Sequence, residues 1–427
     1  MALSAAGLCT DVIMAASPAK TVLLAGTLDT KGAEYAFVRD CIRARGHRVL
    51  VLDLGILTDP PFPPDIPASE VARAGGAELQ ALRERRDRGS AVEVMLAGAC
   101  RLVPALYAEG RFDGMLGLGG GGGTTMIAAA MRTLPVGVPK VMVSTMASGN
   151  TAPYVDVKDI TLMYSVVDIA GLNPLSRRIL SNAAGAICGM VEVSSATSAS
   201  SGDRPLLAAT MFGVTTPCVT MVRERLEREG FDVLVFHATG TGGRAMEALI
   251  ADGYVTGVVD ITTTEWCDEV VGGVLTAGPD RLGAAARAGI PQVVSVGALD
   301  MVNFGPFDTV PEKFRGRRLY RHNPTVTLMR TTPDEGAVIA TRIAEKLNAA
   351  RGSVVLVLPL RGVSAIDAEG QPFHDPEADR VLFDTLRAQL APHVQRREVD
   401  AHINDPAFAE VLVEEMLRLL GSRKSEV

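Results

Sequence analysis

The stretch "FDGMLGLGGGGGTTMIAAAMRTL", Phe112 to Leu134, sets the reading of the whole chain. It runs from an apolar strand over 112–120, through five consecutive glycines (Gly119, Gly120, Gly121, Gly122, Gly123), into an Ala-rich helix opened by Thr124 and Thr125. Poly-glycine loses more backbone entropy on ordering than any other sequence, so a folded chain keeps it for a reason. A flexible linker would not be bounded by a buried strand and a helix. A strand–glycine–helix junction gathers free main-chain N–H groups at a helix N-terminus, which suits an anion, most often a phosphate. Rossmann-type sheets hold their ligands there, outside the carboxyl ends of the strands.

Working outward, apolar runs alternate with helical patterns, the signature of βαβ units around a parallel sheet. "TVLLAG" (21–26) reads as a strand buried on both faces, followed by a turn, "GTLDTKG" (26–32), and a helix from Ala33 to Arg45. The turn occupies the same place on its strand as the glycine run does. Gly26, Thr27, Leu28, Asp29, Thr30 and Lys31 are therefore candidates for a nucleotide site, with Lys31 neutralising phosphate and Asp29 holding Mg²⁺ or a ribose hydroxyl. The GxxxxGK[ST] order of a Walker A loop is absent. Further strands are expected at 47–55 and 139–145, and "STMASGN" adds Ser144, Ser148, Gly149 and Asn150 to the same edge. A proline-rich loop (60–67) and a charged arm (78–90) are candidate partner surfaces.

Composition bounds the function classes. The chain has 427 residues, 47 % hydrophobic and 21 % charged, as for a packed globular protein of two or three domains. A net charge of −7 argues against nucleic acid or an anionic membrane as partner. Six scattered cysteines without a CxxC pair indicate neither a zinc ribbon nor a disulfide framework, so reduced thiols and a cytoplasmic location are expected. No run of about 18 apolar residues suggests a membrane span. Residues 1–19 read as a disordered leader, 20–195 as a nucleotide-binding α/β domain, and 205–427 as a second α/β domain with a substrate site. The small polar stretch "VSSATSASSGDRP" (193–205) is the linker between them.

Strands of the second domain are expected near 206–212, 232–237, 255–261, 292–297, 353–358 and 396–400, with a long functional loop from "FRGRRLYRHNP" onward. Polar residues crowd the strand ends. His237 precedes a glycine-rich helix start with Gly242, Gly243 and Arg244; Glu265 and Asp268 follow the next strand; Asp300 and Asn303 follow another. His322, Arg330 and Arg361 come later. On one edge of a parallel sheet, His237, Glu265 and His322 would form an acid–base or metal set. Gly242, Gly243, Arg244, Asp268, Asp300, Asn303, Arg330 and Arg361 would bind substrate, the arginines by clamping a carboxylate. No HExxH-like spacing identifies a metal site. His374 and His393 read as loop and surface residues.

The ordered series "GTLDTKG", "LGGGGGTT", "VMVSTMASGN", "SVVDIAGLN", "FGVTTPCV", "FHATGTGGRAMEALI", "TTTEWCDEVVGG", "GALDMVNFG", "HNPTVTLMRT" and "HINDPAFA" runs from about Thr21 to Phe408. It resembles the ATP-binding family named after the tomato mosaic virus resistance protein. The resemblance implies two Rossmann-like α/β domains with mainly parallel sheets, ATP with Mg²⁺ in the first domain, and a homodimer. It places the nucleotide at Gly26–Lys31 and Gly119–Thr125, with Ser144–Asn150 nearby. Plant members continue into a barrel resembling phosphoenolpyruvate-using enzymes, so a separate barrel protein is an expected partner. The expected function is an ATP- and Mg²⁺-dependent enzyme acting on a small anionic metabolite at an interdomain cleft. The alternatives are an ATP-gated module acting on a protein partner, or a metal-assisted hydrolase or lyase of a sugar-acid-like compound.

Overall fold

The computed structural model describes residues 18–194 and 204–424. The expected leader, up to residue 17, and the linker residues 195–203 lie outside the described residues. The chain divides into two compact units between Ser194 and Arg204.

The first unit is a five-stranded sheet of β1 (Thr21–Gly26), β2 (Arg48–Asp53), β3 (Gly114–Gly119), β4 (Lys140–Ser144) and β5 (Thr161–Tyr164). The order is β2-β1-β3-β4-β5, and every pair is parallel. Successive side chains point to opposite faces, so Val22, Leu24, Leu116 and Val141 share one core while Leu23, Leu52, Met115 and Met142 share the other. Helices α1 (Leu28–Ala44) and α7 (Pro174–Ser194) cover the first face. Helices α2 (Ala68–Ala74), α4 (Arg88–Ala108) and α5 (Gly121–Arg132) cover the second. Short helices α3 (Leu79–Arg85) and α6 (Ala152–Val155) complete the unit. Both faces are buried, which is why these strands read as unbroken apolar runs. Among the described residues, α4 alone is long and apolar enough to cross a membrane; its Met95, Ala99 and Val103 are buried in the core.

The second unit repeats the plan with six parallel strands: β6 (Leu206–Met211), β7 (Asp232–His237), β8 (Gly257–Thr262), β9 (Gln292–Gly297), β13 (Val354–Pro359) and β14 (Gln395–Val399). Their order is β14-β13-β9-β8-β6-β7. Helices α8 (Thr216–Arg228), α9 (Thr241–Ala251), α10 (Glu265–Val271), α11 (Ala284–Ala288), α12 (Pro333–Asn348), α13 (Pro376–Gln389) and α14 (Pro406–Lys424) complete the unit. The segment expected to be a long loop is instead a hairpin. β11 (Leu319–Asn323) and β12 (Val326–Arg330) pair antiparallel, and β12 also pairs with β10 (Met301–Phe304). Only "TVTL" (325–328) alternates polar and apolar residues, the β-branched Thr325, Val326 and Thr327 favour a strand, and Asn323 accepts from Thr325 N–H at the tip.

In both sheets the strand order reverses direction beside the first strand, at β1/β3 and at β6/β8. That reversal opens a crevice at the carboxyl edge. At β1/β3 the ladder runs from Val22–Gly114 to Ala25–Gly117. Beyond it the Tyr35 hydroxyl takes over. It accepts from Leu118 N–H at 2.8 Å and lies 2.8 Å from the Ala25 carbonyl and 2.7 Å from the Leu118 carbonyl. Burial pushes its pKa far above the usual tyrosine value. Gly26 is bare because a Cβ there would sit 1.6 Å from the Tyr35 oxygen. Replacing Tyr35 by Phe strands a buried N–H and frees a carbonyl, so it should lower unfolding stability by about 2–3 kcal/mol. Urea denaturation at constant m-value checks this; a loss below about 0.5 kcal/mol would remove the hydroxyl from the structural role assigned here.

Candidate functional site

Three glycine-rich turns were expected to cradle anions. They differ in what already occupies them. At the first, α1 opens with a single turn from Leu28, breaks at Lys31 (φ −132°, ψ 24°), and continues beyond it as the expected helix. The expected turn is thus the first turn of the helix. Asp53, at the end of β2, meets its N-terminus: Oδ1 accepts from Leu28 N–H at 3.2 Å and Gly55 N–H at 2.8 Å. Burial raises the pKa of Asp53, and Asp29 adds to the effect. Asp29 Oδ2 accepts from Ile56 and Leu57 N–H, while its Oδ1 is buried without a partner. Lys31 donates to the Ile169 carbonyl, and the Thr30 hydroxyl lies 3.0 Å from that of Thr27. This turn holds two carboxylates, so it suits a cation or sugar hydroxyls better than a phosphate. A groove of about 630 Å³ runs alongside, lined by Asp29, Thr30, Gly32, Arg39, Asp59 and Phe62 among others.

At the turn after β7, Glu265 fills the cradle. Its Oε1 accepts from Gly240 N–H at 2.7 Å and Gly243 N–H at 3.1 Å, and its Oε2 accepts from Arg281 Nε at 2.6 Å. The glycines are explained by the chain itself. A Cβ on Gly243 would meet Glu265 Oε2 at 2.2 Å, and one on Gly242 would meet the His237 carbonyl at 1.8 Å. Glu265, expected as an acid–base group, is 1 % exposed and serves the helix N-terminus of α9. Gly242 and Gly243 bind no outside anion in this arrangement.

The penta-glycine turn is different. Gly119 is required internally, since a Cβ would lie 2.8 Å from Thr124 N. At Gly120, Gly121, Gly122 and Gly123 the nearest atoms to a built Cβ are at 3.8 Å, beyond 4 Å, at 3.7 Å and at 3.7 Å. None of the four has a positive φ. No side chain caps α5, whose N-cap is Gly120. The first N–H groups of a helix have no partner within it, so a bare backbone faces outward at the β1/β3 crevice. Thr124 and Ser144 are fully buried and brace this turn, their hydroxyls 2.7 Å apart, with Met146 N–H donating to Ser144. Thr125 is exposed, and its hydroxyl donates to the Gly121 carbonyl. Ser148, Gly149 and Asn150 are exposed in the turn after β4, where Asn150 accepts from Ala152 N–H.

The other expected substrate residues of the second unit are largely committed to its interior. Asp268 accepts from Asn303 Nδ2 at 2.7 Å and Asn303 N–H at 3.0 Å, and burial pushes it up to about 7. Arg330 is 4 % exposed and donates to Asp379 at 2.7 Å, Asp367 at 3.2 Å and the Phe373 carbonyl. Asp300 accepts from Ser364 Oγ at 2.7 Å, its other oxygen is unpartnered, and burial raises it to about 6. These placements correct the expectation of a substrate clamp. One guanidinium cannot neutralise three buried carboxylates, so the cluster keeps a proton. Asp367 is pushed up to about 9 by burial and by Asp300. Arg361 is exposed and pairs bidentately with Asp400 at 2.8 and 2.7 Å. His237, Arg244 and His322 are exposed, with His322 on the hairpin and His237 at the edge strand β7. His374 is half-buried beside the Asp367 carbonyl, and His393 is exposed.

Three residues escaped the sequence reading. Arg281 is fully buried, held by Asp260 at 2.5 and 2.7 Å as well as by Glu265. Tyr35 holds the split at β1/β3. Asp53 carries a local signal, an acid ending an otherwise apolar strand; Arg281, in the loop "GPDRLG", carries none.

Fold and site together define a protein of two doubly wound α/β units, the first with an uncapped glycine helix start at its switch point. The chain belongs to the uncharacterised protein family UPF0261, whose N-terminal domain matches residues 20–196 and whose C-terminal domain matches 204–420. A UPF0261 protein of Clostridium tetani is 53 % identical over 402 residues, 94 % of this chain and 99 % of that protein. One from Rhizobium meliloti is 51 % identical, covering 92 % of this chain and 98 % of that one. The ToMV resistance protein Tm-1(GCR237) of Solanum lycopersicum is 48 % identical over 78 % of this chain but only 45 % of its own length. Among solved structures, a Streptomyces glycosyltransferase complexed with thymidine diphosphate aligns over 94 % of this chain and 96 % of that one, at 16 % identity and a TM-score of 0.17. That likeness carries no argument.

The buried acids make stability pH-dependent. Asp300, Asp268 and Asp367 have folded-state values near 6, 7 and 9, against about 3.9 when unfolded. Protonation therefore favours the folded state, and stability should fall as pH rises from 5 to 9. Asp367→Asn should flatten the upper part of that decline in urea midpoints. Arg330→Met, which removes the cation from among Asp300, Asp367 and Asp379, should cost about 3–5 kcal/mol at pH 7.

Proposed function

We propose that the first unit binds ATP as its Mg²⁺ complex, with the polyphosphate on the N–H groups of Gly120–Gly123, and that the protein is an ATP-dependent enzyme acting on a small anionic metabolite. The observation that carries the reading is the contrast between turns. Two helix N-termini are met by carboxylates of the chain, Asp53 and Glu265, whereas α5 starts on four glycines whose bareness nothing inside the protein requires. An uncapped helix N-terminus at the switch point of a parallel sheet favours phosphate by geometry and by its dipole. Among the described residues no group of three His, Cys, Asp or Glu side chains could hold a metal. Mg²⁺ would therefore arrive on the phosphates, as it commonly does, with Asp29 Oδ1 as the one unpartnered buried oxygen on the neighbouring turn suited to it. Its chemistry there would be charge neutralisation. Phosphoryl transfer asks chiefly for positioning and charge neutralisation, which such a cradle supplies.

One observation favours a second reading, in which ATP is bound without turnover to regulate a partner. Glu265, Asp268 and Arg330 are all held by internal hydrogen bonds rather than presented to a substrate.

Gly121→Ala with Gly122→Ala gives the test. Alanine meets nothing inside 3.4 Å and is the better helix former, so the thermal midpoint should hold or rise. Calorimetric affinity for Mg·ATP should drop at least tenfold. Unchanged affinity would end the proposal. ADP release on adding a metabolite pool separates the enzyme from the regulatory binder.

A further inference from the structure

We infer that the turn Ser165–Val167, together with Met146, is the platform for the nucleobase of the nucleotide assigned above; the inference rests on that reading. The observation is a strained turn in an exposed place. Val167 N–H donates to the Ser165 carbonyl at 2.7 Å, two residues back, with Val166 between them at φ +65°. That is a three-residue γ-turn of the rare, strained hand. A β-branched residue there is an outlier, because its Cβ crowds its own backbone. The Ser165 hydroxyl donates to the Val167 carbonyl at 2.7 Å and holds the conformation. Strain of this kind persists where a ligand or clamp requires it.

The turn exposes apolar side chains. Val166 is 56 % exposed, Val167 38 %, and Met146 in the preceding turn 40 %. It is also stitched to the glycine cradle through two strand ends. Thr145 N–H donates to the Gly119 carbonyl at 3.2 Å, and Ser165 N–H donates to the Ser144 carbonyl at 3.2 Å. The ends of β3, β4 and β5 thus lie side by side, about 5 Å apart per strand. A ribose and base attached to a phosphate on Gly120 span two such steps. Asp168, the next residue, accepts from Ile169 N–H with its carboxylate, so the side chains of the platform itself are the uncharged Met146, Val166 and Val167. On the other side of the cradle, the groove along α1 presents Asp29, Glu34 and Asp59 instead. A flat, apolar purine face fits the Met–Val platform better than the charged groove, whose lining includes Asp29, Arg39 and Asp59.

The test compares Mg·ATP with inorganic tripolyphosphate by calorimetry on the full chain. For the variant Val166→Gly with Met146→Ser, ATP affinity should fall at least tenfold while tripolyphosphate affinity stays within twofold. The thermal midpoint should not fall, because glycine relieves the turn. Phe62→Ser, in the α1 groove, should leave ATP affinity within twofold. Equal losses for ATP and tripolyphosphate, no loss for either, or loss of ATP binding only in Phe62→Ser would overturn the inference while leaving the phosphate site standing. If the wild-type protein binds neither ligand, the proposed function fails and takes this platform with it.

Discussion

A parallel sheet directs the N-termini of its crossover helices toward one edge, and every one of those ends demands negative charge. This demand organises the molecule. Each end leaves unpaired N–H groups and a partial positive charge. The chain meets it with Asp53 beneath α1 and with Glu265 beneath α9. An anion at such a terminus contributes about 0.3–2 kcal/mol, and a buried terminus left unmet loses more through stranded donors. The chain has carboxylates in abundance, yet it places none at α5 and keeps glycine there four times over. Glycine in a helix is less favourable than alanine by roughly 0.8–1 kcal/mol per residue, so the arrangement runs against stability at several positions together.

The second unit shows what the same edge looks like when the protein supplies its own counter-charges. Glu265 neutralises the α9 terminus and in turn draws in Arg281, which draws in Asp260, itself hydrogen-bonded by Thr210. The Thr210, Thr215 and Thr262 hydroxyls then close the β6/β8 crevice with bonds among themselves and the strand backbone. The result is a satisfied polar core. Partners in such a network hold one another in place, and removing one leaves a buried charge exposed to no water. The first unit uses a single phenol, that of Tyr35, to satisfy the backbone where β1 and β3 part, and so leaves the crevice above it open to approach.

The fold was legible because doubly buried strands are continuous apolar runs, and β1, β3, β6, β9 and β13 all show them. Strand β5 was missed: "TLMY" is four residues long, half exposed, and sits on an edge. The single helical turn ahead of the kink at Lys31 was missed because its counter-charge, Asp53, lies 25 residues away in sequence and adjacent only once β1 and β2 pair. The candidate site divides the same way. A glycine run between strand and helix declares itself locally. Glu265, Arg330 and Asp300 did not, because the residue types that do chemistry at a sheet edge are the ones that also satisfy it internally. Only the partners, set by folding, tell the two uses apart.

That distinction gives glycine-rich turns a physical criterion. A glycine whose Cβ would strike the chain, as at Gly26 against Tyr35 or Gly243 against Glu265, is explained by packing and says nothing about a ligand. A glycine with room for a Cβ and an ordinary negative φ, as at Gly120 to Gly123, is not explained by the fold. At a helix N-terminus on a switch point, its missing methyl leaves the backbone N–H groups open to something that approaches from outside. The same logic applies with opposite sign at Val166, where a branched side chain occupies a backbone conformation that glycine would hold without strain. Bare backbone where side chains would fit, and a side chain where bare backbone would be easier, meet on adjacent strand ends of one sheet. Folding alone requires neither, and the nucleotide proposed above, with a charged end and an apolar end, would account for both.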